Sequence, residues 1–131
     1  IRCLRELNRI TRPDGIIIFS SHNAKMLAVA PNLDGVRGLR AIWRIIYALT
    51  RSIRITFRNL LSPVFYRGEG FRVDPVHGGL LLYNSTPKTI ERDALLAGLQ
   101  VVEIVDYRMA KLRSKYIVGW YYYVLRSIGQ Q

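Results

Sequence analysis

At 131 residues the chain is long enough for one domain with a real core, and half of it is hydrophobic, which excludes a disordered tail. A single cysteine, Cys3, excludes an internal disulfide, and with only two histidines the chain is a poor source of metal ligands, so no metal site is expected. The net charge of +11 is carried mostly by arginine and is uneven, with seven arginines and no acidic residue between Gly35 and Gly68.

The chain does not begin with Met, and residues 1–10 already carry a helical pattern. Leu4, Leu7 and Ile10 recur at spacing three, with Arg2, Arg5, Glu6 and Arg9 on other faces. The expectation is a carboxyl-terminal piece of a longer protein, with Cys3 a small core residue of an amphipathic helix. Pro13 fixes its φ and Gly15 permits a left-handed turn, so the helix stops there. Ile16 to Phe19 is apolar throughout and reads as a strand buried on both faces over residues 16–21. Ser20-Ser21-His22-Asn23 then sits just past the carboxyl end of that strand, where open α/β sheets hold their ligands.

Residues 22–38 are a loop broken by Pro31, Asn32, Asp34 and Gly35. A long helical pattern follows over residues 36–61, closed by Ser62-Pro63, with Thr50 to Ser52 marking a break between two shorter helices. Arg37, Arg40, Arg44, Arg51, Arg54 and Arg58 fall on one stripe of it, and Leu39, Ile42, Trp43, Ile46, Leu49, Ile53, Phe57 and Leu60 largely on the opposite side. Residues 64–83 read as irregular and glycine-rich. Thr86 caps a helix with Pro87 in its first position; Ile90, Ala94, Leu95 and Ala97 form its apolar face and Gly98 its stop. Residues 99–105 and 118–125 read as strands joined by a basic loop over residues 108–115. Trp120 is expected in the core, and Tyr121, Tyr122 and Tyr123 alternate faces.

Two segments resemble a known family. Residues 6–23, ELNRITRPDGIIIFSSHN, resemble the helix, turn and fifth strand of class I S-adenosylmethionine-dependent methyltransferases. There the helix ends in Glu-x-x-Arg, a Val or Ile, a Leu or Thr, a Lys or Arg, and Pro-Gly-Gly. Glu6, Arg9, Ile10, Arg12, Pro13 and Gly15 match, with Asp14 in place of the first glycine. Leu95-Leu96-Ala97-Gly98-Leu99-Gln100-Val101-Val102-Glu103 is similar to the family's last helix and sixth strand, with Leu99 for the usual Phe, and residues 119–126 resemble the seventh strand, which enters antiparallel between fifth and sixth.

The resemblance implies an α/β fold, the second half of a Rossmann-like methyltransferase sheet. Residues 1–131 would be the carboxyl-terminal part of the domain and residues 36–83 a helical and loop insert acting as a substrate lid. It implies methyl transfer from S-adenosylmethionine to a small-molecule, glycan-linked or lipid-linked substrate, carried out by a longer parent. The cofactor would be bound mainly by a half not in this sequence, since Gly68-Glu69-Gly70 follows no apolar strand and no acidic residue ends a strand in the right place. The fragment alone is therefore expected to be inactive.

His22 is the candidate general base, its pKa lying near neutrality, against a loop histidine bonded to the backbone. Ser21 and Asn23 would orient substrate, or cap a turn. His77 and Tyr83 bracket Gly78-Gly79 in a loop able to fold over a substrate, or are a polar loop and a core tyrosine. The arginine stripe Arg37–Arg58 would contact an anionic partner, or be a solvated face. A competing reading is thus a non-catalytic basic module for an anionic membrane surface, with nucleic acid the weaker candidate. The expected location is the cytoplasm, peripheral to a membrane if the stripe docks there. The free edge of residues 16–21 would favour a homodimer.

Overall fold

The computed structural model describes residues 1–74, 80–106 and 115–128. Its elements run α1 (Arg2–Ile10), β1 (Ile16–Asn23), α2 (Leu39–Leu60), α3 (Pro63–Arg67), β2 (Glu69–Asp74), β3 (Leu80–Ser85), α4 (Pro87–Leu96), β4 (Leu99–Asp106) and β5 (Trp120–Ser127). The five strands form one open mixed sheet in the order β2-β3-β1-β5-β4, so the architecture is α/β.

β5 is bonded along both of its edges. It runs antiparallel to β1 from Ile16↔Arg126 to His22↔Trp120, and antiparallel to β4 from Leu99↔Ser127 to Asp106↔Tyr121, with an irregularity between Val101 and Glu103. On its other side β1 meets β3 in parallel only at His22↔Asn84 and Asn23↔Ser85. Among the described residues, Ile16 to Ser21 thus have no strand on that edge.

The sheet is packed on one face. Leu4 of α1 and Ala94 of α4 close over Ile17, Leu99 and Leu125, with Ala97 beside them. Ile90 and Val118 enclose Tyr121 and Tyr123, and Phe19 stacks on Tyr123 at 5.2 Å. Double-sided burial of β1 is therefore overturned. Ile17 is 7 % exposed but Ile18 is 62 % exposed, because α1 and α4 both pack on the Ile17 side and α2 reaches the other side only at the carboxyl end of β1. Tyr121 and Tyr123 share the covered face, as strand alternation requires.

Local chemistry accounts for the element boundaries. α1 stops at Thr11, whose hydroxyl donates to the Leu7 carbonyl (2.6 Å) and whose backbone turns extended. Gly15 is not left-handed; it is needed because a Cβ there would lie 2.6 Å from the Thr11 methyl. Cys3 is exposed, not core, since Leu4 and Leu7 face the sheet and Cys3 falls to the side of that stripe. Thr86 and Thr89 cap α4 reciprocally, Pro87 takes its first turn and Gly98 follows with φ of 74°. Leu95, expected on the apolar face of α4, is exposed.

Two sequence expectations fail for identifiable reasons. α2 is one unbroken helix of 22 residues beginning after Arg37, because Thr50 and Ser52 satisfy their hydroxyls on the carbonyls of Tyr47 and Ala48 instead of interrupting the backbone. The described part of residues 64–83 is not irregular: α3 ends at Gly68 in the left-handed region, and β2 pairs antiparallel with β3 from Glu69↔Ser85 to Asp74↔Leu80.

One-sided burial has a measurable consequence. Leu125→Ala, at a fully enclosed position, is expected to lower unfolding stability by about 2–5 kcal/mol. Ile18→Ala on the open face should cost about 0.5 kcal/mol or less. Urea unfolding of the two variants reads the difference.

Candidate functional site: an arginine-lined cleft at the end of the first strand

The carboxyl end of β1 opens into a cleft of about 100 Å³. Four elements meet there. His22 and Asn23 form the strand end, α2 contributes Arg51, Ile55, Arg58 and Asn59, the hairpin contributes Arg72 and Asn84, and Gly119 and Trp120 close the side. Among the described residues, three arginines and no acidic residue line it. A site so composed favours an anionic group, for which the guanidinium fork supplies charge-assisted hydrogen bonds.

The walls are fixed by amides. Asn23, 2 % exposed, donates to the carbonyls of Lys115 (2.6 Å) and Val118 (2.8 Å) and accepts from the Lys25 backbone N–H (2.9 Å). Asn59 donates to the Met26 carbonyl and accepts from Arg72 Nη1 at 2.7 Å, while Asn84 accepts from Arg72 Nη2 at 2.9 Å. Two asparagines on different elements thus aim one guanidinium. The His22 ring stacks on Trp120, centroids 5.0 Å apart, which sets its orientation beside the arginines.

α2 reaches the cleft by polar docking. Thr56 donates to the Leu27 carbonyl (2.7 Å), Ser52 accepts from the Val29 N–H (2.9 Å), and Arg44 donates to the Asn32 carbonyl (2.8 Å). Ala48, Ile55 and Asn59 are its buried positions. Lys25 donates to the Phe65 carbonyl and lies over the Phe65 ring, tying α3 to the segment after β1.

The structure divides the site residues expected from sequence. His22, Asn23, Arg51 and Arg58 are brought together in the cleft. Asn23 is there as a structural brace, its amide engaged by backbone on both sides. Ser21 faces the packed side, its hydroxyl 2.7 Å from that of Ser85, and does not line the cleft. Tyr83 points away because Asn84, the next residue in the strand, points in; its hydroxyl donates to Glu69 Oε2 at 3.1 Å. His77 and most of the basic loop lie outside the described residues. Arg37 precedes α2 and so is not part of the helical stripe, and Arg44 is committed to the Asn32 carbonyl. Arg40 and Arg54 are exposed.

Arg72, Asn59, Asn84 and Trp120 were not legible as site residues. A signal existed for one of them: in Phe71-Arg72-Val73 polar and apolar residues alternate with period two, which marks a strand and puts Arg72 opposite its apolar neighbours. Trp120, expected in the core, is half-buried and faces the cleft. Gly68 and Gly70 belong to a helix cap and a strand, not to a phosphate loop.

Burial, the hydrogen bond to Glu69 and its charge push the Tyr83 phenol from 10.0 up to about 12. Burial raises Tyr123 as well, and Tyr121 by burial and then by Asp106. Among the described residues no group of three His, Cys, Asp or Glu is placed to hold a metal, and no helix is long and apolar enough to cross a membrane. In comparisons with family models, curated proteins and solved structures, none matches this chain.

Two tests follow from this geometry. Asn23→Ala leaves buried backbone carbonyls without their donor and is expected to cost about 1–3 kcal/mol in a thermal unfolding measurement. The folded state holds the Tyr83 proton more tightly than the unfolded state, so this stabilisation is complete below pH 10 and is lost as pH rises to about 12. Tyr83→Phe should flatten the alkaline fall in stability over that window.

Proposed function

We propose that this chain forms the substrate side of a class I S-adenosylmethionine-dependent methyltransferase acting on an anionic small-molecule, glycan-linked or lipid-linked substrate. The observation that supports it most is the position of β5, antiparallel between β1 and β4. That is the strand order the resemblance implies for the family's fifth, seventh and sixth strands, at the two segments that carry the motifs. The cleft at the carboxyl end of β1 supports it further, being the end at which open α/β sheets hold ligands.

Among the described residues the edge of Ile16 to Ser21 has no strand beside it, an edge that a further sheet portion would cover. The described residues do not make a cofactor pocket: among them no strand leads into a glycine-rich loop, and no acidic residue lines the cleft to hold ribose hydroxyls. The cofactor's contacts must then come from outside these 131 residues, and no step through it is assigned here.

On the substrate side, Arg51 and Arg58 bind the anionic group while Arg72, aimed by Asn59 and Asn84, fixes its orientation. His22 lies at the strand end beside them and would accept a proton from a hydroxyl or amine as that group reacts. Holding the acceptor in line supplies much of the rate in such a transfer. The reading places the protein in the cytoplasm.

The test is to read the codons upstream of Ile1, about one domain's length, and to assay the encoded protein for transfer of labelled methyl groups. A strand, glycine-rich loop and helix with an acidic residue about 20 positions on, together with transfer, is the expected result. In that protein the Arg51→Gln, Arg58→Gln double variant should raise KM more than about tenfold with kcat little changed, the signature of lost uniform binding. An unrelated domain upstream, or a stop codon, overturns the reading.

A further inference from the structure

The face of α2 turned away from the body is apolar and open. Leu39, Ile42, Trp43, Ile46, Ile53 and Phe57 fall within one stripe of the helix, and Trp43 is 70 %, Ile53 64 % and Phe57 71 % exposed. An amphipathic helix of a globular domain ordinarily buries such a face. α2 does the reverse. It docks through Ser52, Thr56 and Asn59 to backbone of residues 26–29 and leaves its apolar stripe outward. Monomers rarely carry so extended an apolar surface unless it is a site of interaction.

Arg40 and Arg54 flank this stripe, and the segment from Gly35 to Gly68 holds no acidic residue. At 22 residues the helix is about 33 Å long, enough to lie along a surface, yet no described helix can span a bilayer. An apolar stripe bearing Trp and Phe, with arginines beside it, has the make-up of a helix lying in the headgroup boundary.

We propose that α2 seats this protein on an anionic membrane surface, with Trp43, Ile53 and Phe57 in the boundary between headgroups and acyl chains and Arg40 and Arg54 on lipid phosphates. Charge selects this occupant over a second copy. Two such helices laid antiparallel face to face would bring like-charged arginine rows into one contact without acidic partners, whereas anionic headgroups neutralise them. The proposal rests on the surface of α2 alone and stands or falls separately from methyl transfer.

The test is flotation of the 131-residue chain with vesicles of phosphatidylcholine alone and of phosphatidylcholine with phosphatidylglycerol, at low and high salt. Binding to the anionic vesicles that weakens with salt is expected. Emission from Trp43 should shift to the blue in the Trp120→Phe chain, where it is the sole tryptophan, and be quenched by brominated acyl chains. Phe57→Ser and Ile53→Ser, at exposed positions that leave the fold intact, should each weaken binding several-fold. Arg40→Gln with Arg54→Gln should weaken it about tenfold or more, since each basic residue near an anionic surface contributes appreciably.

Failure to float with anionic vesicles overturns the proposal. So does a dimer, broken by Phe57→Ser, whose formation leaves Trp43 protected without lipid. Oligonucleotide binding with unshifted Trp43 emission and no vesicle binding overturns it equally.

Discussion

β5 bonds along its length to β1 on one edge and to β4 on the other, and the rest of the molecule is arranged around that fact. The last strand of the chain joins the first, so no early segment completes its sheet until residue 120 and beyond are in place. Tyr121, Tyr123 and Leu125 on its covered side are the residues over which both core clusters close. Its partner register also stacks Trp120 on His22, so the strand that completes the core also completes the cleft.

The cleft differs in character from the core. Its walls are set by asparagines whose amides bind backbone or a guanidinium, and each has geometric demands that a leucine does not. Asn59 shows the economy of this: one side chain fastens α2 to the Met26 carbonyl and directs Arg72. Buried amides so satisfied specify a single arrangement, because every alternative leaves a donor or acceptor without a partner. Arginines held this way meet an anion with little reorganisation.

What the sequence disclosed, and what it did not, follows the range of the forces involved. The ends of α1 and α4 were legible because a cap or a turn acts over a few residues: Thr86-Pro87 and Gly98 fix their own surroundings. The strands rich in Val, Ile and Tyr were legible for the same reason. The face exposed by β1 was not, because Ile16 to Phe19 are apolar regardless of what lies over them, and burial depends on partners distant in the chain. The hairpin was hidden by glycines that suggested irregular structure, although Phe71-Arg72-Val73 carries a strand's alternation. In the site, His22 and Asn23 could be placed near the carboxyl end of a strand, although they belong to it instead of following it, but Arg72 and Asn84 are recruited by strand pairing. The arginine stripe was visible as spacing; that Arg51 and Arg58 turn inward while Arg40 and Arg54 face out depends on where the helix docks.

The manner of that docking gives the molecule two tiers of cohesion. α2 is fastened by a handful of side-chain bonds to residues 26–29 and buries only Ala48, Ile55 and Asn59, whereas β5 is enclosed on one face and bonded on both edges. A helix with so few buried apolar residues is the kind of unit that opens at less cost than a doubly bonded core strand. Arg51, Arg58 and Asn59 ride on α2, so each opening also takes the cleft apart and lets its contents exchange with solvent. The integrity of the cleft is therefore tied to the adhesion of one helix.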